Sequence, residues 1–483
     1  MTFTDEAAIR AILLVPLLSA LLLAVLPGYR LTARLNVLAA FATFAAALAL
    51  LAGARPDPGQ YLIVDDLNIV FIVLGTLVGF TTSVFSASYI QHELDTGRLT
   101  PAYLRFYHAM YQALMFAMNL ALLANNIGLM WVAIELATLT TVLMVGIYRT
   151  REALEAAWKY FILGSVGIAL ALFGTILVYM AAHPVVGPGR DAMVWSTLVR
   201  HAADFDASML NLAFIFLLLG YGTKVGLAPL HAWLPDAHAE GPTPISAVLS
   251  GLLLNVALYA VLRFKLLLAA NPGALAPGPL MVTMGLVSVL FASFMLYRRR
   301  DIKRLFAYSS IEHMGIISFA FGMGGPIANF AGLLHMVLHS LTKSAIFFAV
   351  GHVAQVKGTQ KLADIGGLTT SHPWLGWGLV AGVVAIAGLP PLGMFMTEFL
   401  IVTSTFAREE LLAVLLVAGL LVALGALLLR LNGIAFGPVR GSVAPAEASY
   451  VPMYLHLALV LAAGVYLPPP LVEWFRHVAA VLG

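Results

Sequence analysis

Residues 220–235 are GYGTKVGLAPLHAWLP, a stretch that starts as an apolar helix and is then broken by two prolines. Proline lacks a backbone donor and clashes with the preceding turn, so Pro229 and Pro235 free carbonyl groups that protein or water must satisfy. Lys224 lies just before the break, where a charge at bilayer depth costs at least ~2.5 kcal/mol. The stretch therefore predicts an interrupted membrane helix that faces a polar interior.

The whole chain has the composition of a polytopic membrane protein. Of its 483 residues, 61% are hydrophobic and 10% are charged, whereas about 25% is usual in soluble proteins. We predict an all-α fold with a single membrane domain, residues 1–483, because about fourteen apolar runs are long enough to cross a ~30 Å hydrocarbon core. These runs are residues 7–26, 32–52, 67–89, 104–124, 127–148, 155–180, 209–230, 244–269, 278–297, 304–323, 328–354, 375–404, 411–431 and 451–467.

Charge and cysteine content narrow the class of protein further. The chain has no cysteine, so it cannot bind an iron–sulfur cluster through its own thiolates, and we expect no cofactor. Sixteen of the 26 Lys and Arg residues fall in one set of alternate loops and eight in the other. The positive-inside rule then puts both termini outside. Because the basic residues report orientation, the net charge of +3 does not indicate nucleic acid.

A second apolar run is broken in the same way. Residues 388–393 are GLPPLG, and Glu398 follows shortly after them. The two breaks lie five predicted helices apart, in helices 7 and 12. Paired interrupted helices indicate a transporter built from repeats, so we predict two inverted five-helix repeats, residues 103–269 and 278–432.

Four ionisable side chains lie deep inside predicted spans: Glu135, Lys224, Lys343 and Glu398. Such residues usually face a wet interior and mark an ion or proton path. Glu135 and Lys224 could form a pair whose separation changes its protonation. The alternative is a structural ion pair between helices. Hydroxyl groups that could hold water beside the pair are those of Thr138, Thr140, Thr141, Tyr221 and Thr223.

His335, His339 and Lys343 follow one another at four-residue intervals, which places them on one helix face. This stripe of titratable groups predicts a proton relay, although a buried histidine can also be a packing residue. The two histidines have the spacing of a helical zinc site, but Met336 stands where a metalloprotease has glutamate. A haem would need His108, His231 or His313 as a second ligand, and we expect neither group.

Longer motifs carry a resemblance to a known family. Residues 229–244 (PLHAWLPDAHAEGPTP), residues 307–315 (AYSSIEHMG) and the histidine–lysine helix resemble the proton-conducting antiporter-like subunits of complex I, Mrp antiporters and group 4 membrane-bound hydrogenases. Residues 134–141 (IELATLTT) and 148–160 (YRTREALEAAWKY) are most similar to the hydrogenase-4 type.

The resemblance implies a role for each buried charge. Glu135 matches the glutamate of the fifth helix, Lys224 the lysine of the broken seventh, Lys343 the lysine of the eleventh, and Glu398 the last residue of the broken twelfth. Supporting candidates are Lys159, His231, His238, Asn255 and His313. Asn255 departs from the family, which usually has Lys or His there. Because Asn cannot carry a proton charge, either water bridges the gap between the two halves or the subunit pumps protons poorly or not at all.

The resulting hypothesis is a non-catalytic, proton-translocating subunit of a complex I-like redox complex of the [NiFe] hydrogenase or formate hydrogenlyase type. Its expected partners are other membrane subunits and cytoplasmic hydrogenase-like or dehydrogenase subunits with iron–sulfur clusters. Its expected location is the bacterial or archaeal cytoplasmic membrane. Two alternatives remain: an Mrp-like cation/proton antiporter subunit and a passive membrane scaffold. Lys159, one helical turn from Glu155, could equally belong to an ordinary surface pair.

Overall fold

The computed structural model describes residues 3–53, 55–445 and 448–483. Within these ranges the chain is helical, with isolated β-bridges and no strand. The helices are α1 Phe3–Val25, α2 Tyr29–Ala52, α3 Asp66–Asp95, α4 Pro101–Leu123, α5 Ile127–Val145, α6 Arg151–Val186, α7 Trp195–His201, α8 Ala207–Val225, α9 Trp233–Glu240, α10 Thr243–Val248, α11 Leu254–Ala269, α12 Gly278–Leu296, α13 Ile302–Met323, α14 Pro326–Lys357, α15 Leu368–Ser371, α16 Pro373–Ile386, α17 Gly393–Phe406, α18 Glu410–Ala435, α19 Val451–Val465 and α20 Pro469–Val481.

Polar residues in short loops start several of these helices. Asp65 and Asn68 form a reciprocal capping box at the start of α3. Asn126 accepts hydrogen bonds from two backbone N–H groups of α5, and Asp206 accepts one from α8. These side chains satisfy amides that have no partner within a helix. They fix the start of each helix where the apolar sequence alone would leave its position open.

Within the described ranges, ten helical segments are long and apolar enough to cross a membrane, and the bent pair α19–α20 would make eleven. The prediction of an all-α polytopic membrane protein is confirmed. The predicted number of fourteen spans is not confirmed. The predicted spans 104–124, 304–323 and 375–404 correspond to α4, α13 and the α16–α17 pair, which are helical but are not among the ten.

Two segments are the most deeply buried of the ten apolar spans. The most apolar stretch of α14 is 94% buried, and that of Thr243–Ala269 is completely buried. The latter segment contains a π-helical turn, Leu249–Leu253, between α10 and α11. By contrast, the corresponding stretches of α1, α2 and α18 are only 33% buried, which is expected of helices that face lipid. The titratable residues of α14 are therefore central.

Both breaks predicted from proline are present. The first lies between α8 and α9, where Gly226 ends α8 in the left-handed conformation. The second lies between α16 and α17. At the first break the protein satisfies the freed backbone: the Trp233 indole donates to the Thr223 carbonyl at 2.8 Å, and the Ala228 amide donates to the Ser288 hydroxyl at 2.9 Å. The break is therefore a defined structure that holds the end of α8 in place.

Small residues bring α6 against α8. A Cβ on Gly220 would lie 2.5 Å from the Ala171 amide nitrogen and 2.6 Å from the Gly167 carbonyl oxygen. A Cβ on Gly167 would lie 2.7 Å from the Cβ of Thr223. Such close backbone approach is the usual role of glycine between membrane helices. It fixes α8, and Lys224 with it, against α6.

We expect the substitution Gly220→Ala to destabilise the protein by about 1–3 kcal/mol, because the added methyl group overpacks a backbone contact. Thermal unfolding of the purified protein in detergent measures the effect. Gly433→Ala is the matched control, since a Cβ on Gly433 meets nothing within 4 Å. Equal unfolding temperatures for the two variants would contradict the α6–α8 contact.

Candidate functional site

A buried ion pair lies at the end of the broken helix α8. Lys224 Nζ is 3.3 Å from Glu135 Oε2 and donates to the Thr138 hydroxyl at 2.8 Å. The Lys224 side chain is 1% exposed and that of Glu135 is 18% exposed. A Cβ on Gly164 would lie only 3.0 Å from Lys224 Nζ, so glycine leaves room for the ammonium group. The first cluster therefore consists of Glu135 and Thr138 on α5 and Lys224 on α8, with α6 packed beside them.

Among the described residues, the other predicted hydroxyl groups form no hydrogen bond with the ion pair. Thr141 bonds the Tyr160 hydroxyl at 2.8 Å. Thr140 and Thr223 donate to carbonyl groups of their own helices, and the Tyr221 hydroxyl has no hydrogen-bond partner in the described part of the chain. Of the five hydroxyls predicted to line the pair, the structure brings only Thr138 to it. That these groups hold water stays a prediction.

A second cluster lies around α14 and contains His313, His335, His339, Lys343 and Glu398. His335 Nε2 is 3.0 Å from His313 Nδ1, and the ring centroids of His313 and His339 are 5.7 Å apart. Lys343 Nζ donates to the Phe306 carbonyl of α13 at 2.9 Å. The three imidazoles and the lysine are completely or almost completely buried. The predicted stripe on α14 therefore exists, and His313 of α13 joins it.

Glu398 is held at the second break. Gly388, which has a φ of +65°, lies so close that a Cβ there would be 2.0 Å from Glu398 Oε2. A side chain at Gly388 would occupy the position of the carboxylate and would also be strained by the positive φ. Gly388 is therefore a second position, besides Gly164, where glycine makes room for a charged group.

Sequence reasoning assigned no role to Glu312, although its motif was noted. This carboxylate is 2% exposed, and its Oε2 has no hydrogen-bond partner among the described residues. It lies close enough to Lys343 for their charges to interact. Glu312 falls near the middle of the predicted span 304–323, so the rule that singled out Glu135 and Glu398 would also have found it.

The supporting candidates have separate environments. The buried His238 ring stacks on Phe347 with centroids 4.8 Å apart, and the His231 ring packs against Phe291 at 4.7 Å. Lys159 pairs with Glu155 at 2.7 Å and also with Asp236 at 3.2 Å. Asp236 in turn pairs with Arg304 of α13 at 3.0 Å. Lys159 is thus part of a network that joins α6, α9 and α13, and not of an isolated surface pair.

Asn255 packs against α14. Its amide donates to the Ser340 hydroxyl at 2.7 Å and to the Met336 carbonyl at 3.2 Å, whereas its Oδ1 has no partner among the described residues. A cavity of about 10 Å³ lies beside it and has room for about one water molecule; its lining is apolar except for Asn255 and Asn119. An amide in this position orients neighbouring groups, but it cannot hold a positive charge.

In the described ranges, one group of histidine and acidic side chains has its ligand atoms close enough to hold a metal ion. The group is His313, His335 and Glu398, with ligand atoms within 4.8 Å of one another. This group does not include His339. The pair His335 and His339, which has the spacing of a helical zinc site, therefore does not by itself supply the ligands. The same side chains can accept and release protons, which is the chemistry that both clusters share.

A helical bundle with two broken helices and a buried acid or amine at each break is the arrangement of an antiporter-like membrane subunit. The family model "NADH:quinone oxidoreductase/Mrp antiporter, TM" matches residues 124–423. The chain belongs to this family, whose members are polytopic proteins of bacterial or archaeal inner membranes.

Individual relatives refine the assignment. The chain is 65% identical over 472 residues to the hydrogenase-4 component F homolog of Methylacidiphilum infernorum (isolate V4). This alignment covers 98% of the chain and 99% of the relative. The fold matches a chain of the membrane-bound sulfane sulfur reductase, an archaeal respiratory membrane complex, with a TM-score of 0.88 at 23% identity over 99% and 98% of the two chains. It also matches a chain of the Mrp complex from Dietzia sp. DQ12-45-1b, with a TM-score of 0.84 at 20% identity over 100% and 98%.

We expect Gly388→Ala to impair the site at the second break, because the methyl group displaces the Glu398 carboxylate. Proton transport by the reconstituted complex should fall towards that of Glu398→Gln. Gly437→Ala is the control: Gly437 also has a positive φ, of 82°, but a Cβ there meets nothing within 4 Å. Normal proton transport by both variants would contradict the prediction, because it would mean that displacement of the Glu398 carboxylate does not affect transport.

Proposed function

We propose that this chain is a non-catalytic subunit that moves protons across the membrane for a complex I-like redox complex, of the membrane-bound [NiFe] hydrogenase or formate hydrogenlyase type. The observation that carries the proposal is the pair of buried titratable clusters, one at each helix break. The identity of 65% to a hydrogenase-4 component F homolog supports the type of complex. The partners in this proposal are other membrane subunits and cytoplasmic subunits with iron–sulfur clusters.

The architecture that we propose has fourteen spans. The ten apolar spans, the α19–α20 pair, α4, α13 and the α16–α17 pair together give this number, with α9 counted as part of the broken seventh helix. Residues 103–269 and 278–432 would be inverted repeats, each containing one break. An odd number of helices per repeat would require the inversion, and the distribution of Lys and Arg supports the proposal that both termini lie outside.

In the first half, proton transfer would depend on the distance between Glu135 and Lys224. A buried amine favours the charged form only while a carboxylate lies nearby. Separation of the two groups, driven by a neighbouring subunit, would release a proton, and their return would take one up. The direct contact at 3.3 Å supports this part of the proposal, because a small movement of either helix would break it.

In the second half, Lys343, the three imidazoles, Glu312 and Glu398 would continue the path. Nitrogen groups form most of this cluster, and Na⁺ or K⁺ bind oxygen ligands in preference to imidazole or amine. The chemistry of the cluster thus favours protons over the alkali cations of an Mrp-like antiporter. Asn255, which cannot be charged, is the feature that favours the passive scaffold instead.

Replacing the charged groups at the breaks tests the function. In the purified complex reconstituted into vesicles, we expect Lys224→Ala and Glu398→Gln to reduce redox-driven proton uptake to the leak of vesicles without the complex. The physical reason is that each variant removes a group that alternates between two protonation states. Uptake is measured with a pH-sensitive dye while redox turnover is followed in parallel.

Two control variants remove the same chemical groups elsewhere. Lys265→Ala deletes a buried lysine that donates to the Leu482 carbonyl, and Glu410→Gln neutralises an exposed glutamate at the start of α18. Both should pump normally. Unchanged pumping by Lys224→Ala and Glu398→Gln would reject the proposal. Proton uptake absent even in the native complex would select the scaffold, and uptake dependent on Na⁺ or K⁺ would select the antiporter.

A further inference from the structure

We infer that His313, His335 and Glu398 form a binding site for a divalent transition-metal ion, with Zn²⁺ as the representative case. The three side chains come from α13, α14 and α17, and their ligand atoms lie within 4.8 Å of one another. Two imidazoles and one carboxylate are an established set of zinc ligands. The inference differs from a zinc site at His335 and His339, which share one helix and lack the carboxylate.

The hydrogen bonds around His335 prepare it as a ligand. The Thr397 hydroxyl donates to the Met394 carbonyl at 2.8 Å, so its oxygen must accept the hydrogen bond from His335 Nδ1, also at 2.8 Å. This leaves the lone pair of His335 on Nε2, directed at His313. Metal-binding histidines are oriented in this way, with the second ring nitrogen bonded to a neighbouring group.

His313 can bind the ion without a net loss of protons. Its Nδ1 donates to His335 Nε2 at 3.0 Å, while its Nε2 is buried and has no partner among the described residues. Transfer of the Nδ1 proton to Nε2 would give Nδ1 a lone pair beside that of His335. A metal ion between the two nitrogens would then replace one N–H···N hydrogen bond by two metal–nitrogen bonds.

The carboxylate is the ligand whose position must change, and a neighbouring histidine could complete the site. The two imidazole nitrogens are already 3.0 Å apart, whereas the longest separation within the group, up to 4.8 Å, must shorten by about 1–1.5 Å to allow bonds of ~2.0–2.2 Å. Glu398 is only partly buried, unlike the two histidines, and it lies in the second turn of α17, close to the helix break. His339, whose ring nitrogens have no partner in the described ranges, packs 5.7 Å from His313 and could supply a fourth ligand.

The ligand class follows from the donor atoms. Imidazole suits Zn²⁺, Cu²⁺ and Ni²⁺, whereas Mg²⁺ and Ca²⁺ require oxygen ligands. A bound transition-metal ion would fix α13, α14 and α17 together and occupy three groups that otherwise exchange protons. Resting on the proposed function, the consequence is that added Zn²⁺ inhibits proton transport without entering the redox chemistry.

Binding is tested on the purified, chelator-treated complex with Zn²⁺ alone as the probe. Equilibrium dialysis should show one site per chain that is weakened at least about tenfold in His313→Gln, His335→Gln and Glu398→Gln, and X-ray absorption should show nitrogen and oxygen ligands. Thr397→Val should also weaken binding about tenfold, since it removes the group that orients His335. His352→Gln is the control, a buried histidine of the same helix α14 that bonds the Ser449 carbonyl.

The outcomes separate this inference from the proposed function. Zinc binding unchanged in His335→Gln, or lost equally in His352→Gln, would overturn the site. If a histidine variant does not assemble, Glu398→Gln and Thr397→Val test the site instead, because both replacements keep the shape of the side chain. Variants that lose zinc but pump normally would leave the metal site standing and reject the proton path. Variants that bind zinc normally but do not pump would reject the metal site and leave the proton path standing.

Discussion

An ammonium group with almost no exposure to solvent must be satisfied by the protein, and the first half of the bundle is arranged around this requirement at Lys224. Glu135 and Thr138 supply the two contacts. Gly164 leaves the space for them, and the glycine contacts between α6 and α8 hold the lysine-bearing helix in place. The helix break just beyond Lys224 faces the same requirement, since its freed carbonyl and amide groups also need partners. Trp233 and Ser288 provide them.

The second half meets the same requirement with different groups. An acid, Glu398, lies near its break instead of an amine, and the amine, Lys343, is on the uninterrupted helix α14. Lys343 donates to the Phe306 carbonyl, and among the described residues it forms no ion pair like that of Lys224. The two clusters are therefore not equivalent in charge. The first contains one acid–amine pair, and the second, taken with the neighbouring Glu312, contains two acids, one amine and three imidazoles.

Patterns along the chain predicted the features that depend on local chemistry. Proline positions located both breaks, and four-residue spacing placed His335, His339 and Lys343 on one face. Charge within apolar runs singled out Glu135 and Lys224, which do meet. Features that depend on packing between distant segments were not predictable. The place of His313 beside His335, the bond from Thr397, and the room that Gly388 leaves for Glu398 arise from how α13, α14 and α17 pack. The roles of these residues in transport stay predictions.

The network around Asp236 has a consequence for the whole bundle. Each oxygen of this one carboxylate binds a cation from a different half of the chain, Lys159 on α6 and Arg304 on α13. Its own short helix, α9, directly follows the first break. A tilt of α9 would alter the geometry of both ion pairs at once, so this single carboxylate connects the segment after the first break to helices from both halves of the chain.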